Sequence, residues 1–168
     1  MEKEICVLYE TMAASDYILL GAGAGLSAAA GINFADEKAF ARQYPVLWQQ
    51  GIHSDYQTFS YRKWPPEQQW AYWARHIQEV RFDTPPLALY QDLLELLSGW
   101  DYQIITSNVD RQFYRNGFPM ERVFEAQGTY DWLICSALCT DEQWAIAPVI
   151  AAMQEHIDEE RFVIDQAL

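Results

Sequence analysis

Two short apolar runs, each followed at once by a small-residue or polar loop, point to an α/β architecture built on a parallel sheet. The first run, Tyr17-Ile18-Leu19-Leu20, ends in glycines. The second, Tyr102-Gln103-Ile104-Ile105-Thr106, ends in Ser107-Asn108. Segments with helical spacing separate the two, and a parallel pair of strands needs such a crossover. At 168 residues the chain has the length of one average domain.

The elements follow in order. Residues 2–14 place Ile5, Leu8 and Met12 at helical spacing and read as an amphipathic helix. After the first strand comes the small-residue stretch 21–31, then a polar segment rich in aromatics. Pro65-Pro66 opens a helix over 67–80, with Trp70, Trp73, Ala74 and Ile77 on one face. A further helix spans about 87–97, burying Tyr90, Leu93, Leu94 and Leu97, with Gly99 just past its end. Beyond the second strand, residues 110–116 form a helical turn closed by Gly117, and Val123-Phe124-Glu125 is a third strand candidate. Residues 132–137 add another strand candidate, and 141–160 is mostly helical, with Pro148 at a break or a first turn.

Charge and composition narrow the function. Acidic residues outnumber basic ones 24 to 11, for a formal charge of -13. Such a surface repels a phosphate backbone and anionic lipid, so neither nucleic acid nor membrane is an expected partner. Apolar stretches such as 17–30 are too short or too rich in Gly and Ala to span a bilayer. The start, Met1-Glu2-Lys3-Glu4, lacks the basic region and apolar core of a secretory signal. Cys6, Cys135 and Cys139 cannot all pair within one chain, which fits a reduced, cytoplasmic protein.

In parallel sheets, ligands sit beyond the carboxyl ends of the strands. Two loops hold that position. Gly21-Ala22-Gly23-Ala24-Gly25-Leu26-Ser27 could let a backbone approach a pyrophosphate, or could simply pack a helix closely on a strand. The G-x-G-x-x-G fingerprint is not met, since Leu26 and Ala28 stand where the third glycine would be, and no G-K-[ST] follows. Thr106-Ser107-Asn108-Val109-Asp110 offers an amide and a carboxylate suited to a ribose hydroxyl, a carboxamide or a polarised cation, although either residue could equally be a helix cap. Glu125-Ala126-Gln127-Gly128-Thr129 is a polar turn after the third strand.

Taken together, these three blocks resemble the sirtuin family, whose members carry a GAG-x-S loop, a T-Q-N-[IV]-D segment and a His-Gly pair. Gly23-Ala24-Gly25-Leu26-Ser27 matches the first, and Gly31-Ile32 the start of its G-I-P-D-F-R extension. Thr106-Ser107-Asn108-Val109-Asp110 matches the second in all positions but one, where Ser107 replaces Gln. Gln127-Gly128 stands at the third. The resemblance implies a Rossmann-like parallel sheet with flanking helices, forming one NAD-binding domain over 1–168 with a small helical module around 37–82. It implies NAD as cofactor, with Gly23, Ala24, Gly25 and Ser27 at the phosphates and nearby ribose and Ser107 alongside. Asn108, Asp110 and Gln127 would be the catalytic residues, positioning the nicotinamide ribose, the nucleotide, and the ribose hydroxyls or acceptor respectively.

The departures shape the expected activity. Asn33-Phe34-Ala35-Asp36 replaces P-D-F-R. The general-base His of the family is Gln127, and an amide has no usable pKa near neutrality. Loss of that base weakens a deacylase reading and leaves ADP-ribosyl transfer. The pattern is most similar to the macrodomain-linked microbial class M branch. That resemblance implies ADP-ribosylation of a lipoyl-bearing carrier protein, such as a glycine-cleavage H protein, with a macrodomain hydrolase as partner. A non-catalytic nucleotide-binding or interaction fragment is the alternative, and a residual NAD glycohydrolase or deacylase a weaker one.

Cys135 and Cys139 stand where the family begins its zinc module, but structural zinc wants four ligands and the second pair is absent. The zinc module is therefore incomplete and zinc is not expected. Measured against the family, the chain is expected to be C-terminally truncated, without the adenosine-binding part. His53 and His76 read as structural or solvated, and His156 as an exposed helix residue. The aromatic run Tyr56, Phe59, Tyr61, Trp64, Trp70, Tyr72 and Trp73 reads first as core, with an acyl or lipoyl channel as the second reading.

Overall fold

The computed structural model describes residues 2–61 and 63–164. Its centre is a three-stranded parallel sheet of β1 (Ile18–Ala22), β2 (Tyr102–Thr106) and β3 (Val123–Glu125), with β2 in the middle. Ile18 pairs with Tyr102 and Ala22 with Thr106, while Ile104 pairs with Val123 and Thr106 with Glu125. All three strands therefore end at one level, and their following loops open side by side. β1 extends into the glycine stretch as far as Ala22, because Gly21 and Ala22 still pair with β2.

α1 (Glu2–Ala13) precedes the sheet; the helices packed on it are α2 (Ala24–Ala29) and, after an intervening helical region, α7 (Ala88–Leu97), with the single turn α8 (Gln112–Arg115) following β2. Tyr90, Leu97, Tyr102, Ile104, Phe113, Phe118 and Val123 form one core cluster here, and Leu20, Ala22 and Leu26 pack on it. The opposite face of the sheet is open: Leu19, Ile105 and Phe124 are exposed. The apolar residues of α1 are not buried either, Ile5 and Leu8 being exposed.

The intervening region holds α3 (Glu37–Gln43), α4 (Pro45–Gln49), α5 (Asp55–Ser60) and α6 (Pro66–Ile77), the last continuing as a π-helical turn over Gln78–Asp83. Asp36 caps α3, its carboxylate accepting from the Lys38 and Ala39 amides. A second core gathers around Phe40, Tyr44, Leu47, Ala71, Tyr72 and Ile77. Trp70 is exposed, whereas Ala71 and Tyr72 are fully buried. Ala74 and Ile77 of the expected face are buried and Trp73 packs against this core, so the buried face is the expected one without Trp70, widened by Ala71, Tyr72 and His76.

The C-terminal part also departs from a single long helix. β4 (Trp132–Ile134) pairs antiparallel with β5 (Gln143–Ala145), α9 (Ala147–Glu155) follows with Pro148 in its first turn, and β6 (Ile157–Asp158) pairs with β7 (Val163–Ile164). Ile146, Ile150, Met153, Phe162 and Ile164 complete the second core. Residues 135–139 turn between strands, with Leu138 left-handed at φ 51, so the strand expected over 132–137 stops at Ile134.

Ile104 lies fully buried on the central strand. Ile104→Ala leaves a cavity no neighbour can fill, and should lower the unfolding free energy by about 2–5 kcal/mol in urea denaturation.

Candidate functional site

The ends of the three strands are tied together by backbone hydrogen bonds. The Ser107 amide donates to Ala22 O at 3.1 Å, the Ala126 amide to Thr106 O at 2.8 Å, and the Tyr130 amide to Val109 O at 3.0 Å. Thr106 Oγ1 accepts from the Asn108 amide at 3.0 Å, turning the chain immediately after β2. Gly23 lies close to that turn: a Cβ there would come within 3.3 Å of Ser107 Oγ. Gly128 adopts φ 73, a conformation glycine takes at little cost, and it closes the turn that carries Gln127.

Ser27, Tyr90, Asn108 and Asp110 form a buried polar knot. Ser27 donates to Asp110 Oδ2 at 2.7 Å, because a carboxylate can only accept. Ser27 Oγ lies 3.0 Å from the Tyr90 hydroxyl, which must then donate to it. Asn108 Nδ2 donates to Ser27 Oγ at 3.0 Å and to Tyr90 at 3.2 Å. Asp110 Oδ1 accepts from the Gln112 amide at 3.0 Å, so this residue also satisfies the first amide of α8. Burial, reinforced by the Asp110 charge, pushes the Tyr90 phenol up to about 12 despite its bonds to Ser27 and Asn108.

A cavity of about 440 Å³ opens beside this knot. Its polar side carries Ala24, Ser107, Asn108, Asp110 and Gln127, and Phe34, Tyr56, Phe59, Trp73 and Tyr130 are the aromatic residues that line it. The volume lies within the roughly 300–1,000 Å³ of small-molecule sites. Gly23, Gly25 and Ser27 do not line it, and the Ser27 hydroxyl is engaged by side chains. The aromatic run divides: Tyr56, Phe59 and Trp73 line the cavity, Tyr72 lies in the second core, and Tyr61 and Trp70 face solvent.

Sequence reasoning missed the residues that hold these loops in place. Arg111 sits in the left-handed region at φ 63, unusual without glycine, and pairs with Glu125 at 2.6 Å and Asp131 at 2.7 Å. Arg81 reaches Asp131 from the π-helical turn. Burial raises the Glu125 carboxyl, and the Arg111 charge opposes that rise. No local pattern marks these pairs, since their partners come together only in the fold. Tyr90 was legible only as a core residue of α7.

Cys135 and Cys139 bring their sulfurs within 3.0 Å, and the hydrogen bond from Cys139 lowers the Cys135 thiol. Among the described residues, no group of three or more His, Cys, Asp or Glu side chains is placed to hold a metal ion. No helix among them is long and apolar enough to cross a membrane.

The raised Tyr90 phenol has a consequence at alkaline pH. The unfolded chain ionises near pH 10 while the folded phenol stays neutral to about 12, so the stability Tyr90 supports is intact below pH 10 and is lost as pH rises through 12. Unfolding midpoints measured from pH 9 to 12 should fall, and Tyr90→Phe should remove its share of that slope.

No protein-family model matches the chain. It is 36% identical over 156 residues to a probable bifunctional ADP-ribose hydrolase/ADP-ribosyltransferase of Fusarium oxysporum f. sp. cubense, an alignment covering 89% of this chain and 26% of the fungal protein. It is 32% identical over 140 residues to a protein ADP-ribosyltransferase of Staphylococcus aureus, covering 82% of this chain and 44% of that protein. The chain thus spans less than half the length of these relatives. Among solved structures it resembles a Sir2 homologue in complex with NAD at TM-score 0.58 and 26% identity, over 82% of this chain and 50% of that one. A mutant Sir2 homologue in complex with 2′-O-acetyl ADP-ribose gives the same score and identity over 51% of its length. The chain carries a sirtuin-like α/β fold, with its parallel sheet and flanking helices corresponding to about half of a Sir2 chain.

Proposed function

We propose that the chain binds NAD at the strand ends and transfers ADP-ribose from it to a protein, releasing nicotinamide. The observation that carries this is the meeting of Asn108, Asp110 and Gln127 on one cavity in a chain similar to proteins described as ADP-ribosyltransferases. The residues present fit such a ligand. At Gly23 a Cβ would press on Ser107, so the backbone there stays bare, and polar and aromatic walls face one space. When bound, NAD supplies an ADP-ribosyl group joined through C1′ to a positively charged leaving group.

The chain's own residues then have separable tasks. Asn108 has its Nδ2 fixed by Ser27 and Tyr90, which leaves its carbonyl oxygen to accept from a ribose hydroxyl. Asp110 is held by Ser27 and Gln112, and its buried charge stabilises positive charge developing at C1′. Gln127, exposed on the cavity rim, orients a ribose hydroxyl or the acceptor but cannot take its proton. Cleavage of the nicotinamide bond needs orientation and charge stabilisation, the tasks this reading gives to Asn108 and Asp110.

The acceptor we propose is a lipoyl-bearing carrier protein of the glycine-cleavage H type. Phe34, Tyr56, Phe59 and Trp73 support this, because they give an apolar prosthetic chain a wall to lie on. We place the chain with the class M sirtuins of the cytoplasm and assign a macrodomain hydrolase as the partner that removes the mark. The description of the fungal relative, which joins a hydrolase to a transferase, supports that pairing.

Calorimetric titration with NAD is expected to give saturable binding, weakened at least about tenfold (about 1.4 kcal/mol) in Asn108→Ala. Labelled ADP-ribose should pass to a lipoylated carrier with the unmodified chain and not with that variant. Transfer undiminished by Asn108→Ala would remove the site assignment.

A further inference from the structure

His76, on α6, is only 2% exposed, yet both of its ring nitrogens are engaged. Nδ1 lies 3.3 Å from Asp55 Oδ1 and 3.2 Å from the Tyr72 hydroxyl, and Nε2 lies 3.3 Å from the Tyr130 hydroxyl. Tyr72 donates its proton to Asp55 Oδ1 at 2.7 Å. The carboxylate can only accept and the Tyr72 proton is committed, so the neutral imidazole carries its hydrogen on Nδ1. Nε2 is then an acceptor, and Tyr130 donates to it. The rings of Phe34, Phe59 and Trp73 surround the imidazole at centroid distances of 5.5–5.7 Å.

Packing alone does not call for this arrangement. A buried carboxylate–histidine pair carries a desolvation penalty that apolar residues of similar volume would avoid. Tyr130 lines the same cavity as Asn108, Asp110 and Gln127. The ionisable residues lining that cavity are Tyr56, Asp110 and Tyr130, and both oxygens of Asp110 are engaged. Of the three, Tyr130 is the one hydrogen-bonded to a buried imidazole. His76 also lines a smaller cavity of about 160 Å³, shared with the carboxyl-bearing Asp36, Asp55 and Glu79. The ring thus stands between the large cavity and a polar route outward.

We propose that Tyr130, backed by His76 and Asp55 as positioning residues, is the group that accepts a proton from the ligand in the larger cavity, the task Gln127 cannot perform. This rests on reading the cavity as a site of ADP-ribosyl transfer. As the acceptor's lone pair bonds to C1′, the bond from C1′ to the nicotinamide nitrogen breaks and its electron pair leaves with nicotinamide. The acceptor's proton passes to Tyr130 Oη, the tyrosine's own proton passes to His76 Nε2, and Asp55 holds the imidazolium. The imidazolium then gives up one proton to solvent, the smaller cavity beside Asp55 being the outlet. Burial, with Asp55 and Asp110 adding to it, raises the Tyr130 phenol, which keeps its proton at neutral pH and acts as a relay.

The test has two readouts. Nitrogen-15 NMR of the imidazoles of His53, His76 and His156 should show neutral His76 protonated on Nδ1, with its Nε2 resonance shifted by Tyr130→Phe. A His76 protonated on Nε2 overturns the chain whether or not the protein turns over. In transfer assays Tyr130→Phe should lower the rate about 100-fold or more, with a much smaller change in NAD affinity. His76→Gln, which still accepts from Tyr130 but cannot take its proton, should also lower the rate with little change in NAD affinity. An active wild type with Tyr130→Phe equally active overturns this role alone. A wild type that binds no NAD overturns the reading beneath it.

Discussion

The hydroxyl of Ser27 is the point on which the strand ends depend. One oxygen donates to Asp110, accepts from Asn108 and accepts from Tyr90, joining α2, the loop after β2 and α7 in one fully hydrogen-bonded knot. Each group there has its proton direction fixed by the acceptor-only carboxylate at one end. A buried polar network in this state is rigid, because any rotation leaves a group unpaired at a cost of about 1–3 kcal/mol. The cavity inherits that rigidity on its polar side.

Its aromatic side is built differently. Trp73 and Tyr130 pack on the core that Phe40, Tyr44, Leu47 and Tyr72 share with Ile146 and Ile150, and no residue of that core belongs to the one beneath the sheet. The two cores meet through polar links: Arg81 and Arg111 on Asp131, the Tyr130 amide on Val109 O, and Arg115 on the carbonyls of Arg81 and Phe82. The same links place Tyr130 between His76 and the cavity. A single turn, residues 127–131, therefore serves both as part of the site and as the join between the two cores.

How much of this could be read from the sequence follows from the range of each interaction. The three parallel strands were legible because each is an apolar run cut off by glycine or a polar turn. Asn108, Asp110 and Gln127 were picked out by the resemblance of their three blocks to the sirtuin pattern, and the fold sets them on one cavity. The bonds of Ser27 to Tyr90 and Asp110 were not legible, since nothing local reveals partners 63 and 83 residues away. The pairing of Trp132 with Ala145 is likewise a matter of register between distant segments, so β5 was hidden inside an apparent helix. His76, Asp55 and Tyr130 share no spacing pattern at all and are related only by the fold.

The seam between the two cores has a further consequence. Separating them breaks these ion pairs and hydrogen bonds while each core stays packed within itself, so this opening costs less than unfolding the molecule. A ligand in the cavity touches both sides at once, and each contact it makes acts as mortar across the joint. Occupancy then raises the cost of parting in proportion to affinity and concentration. The molecule is as firm as its cavity is full.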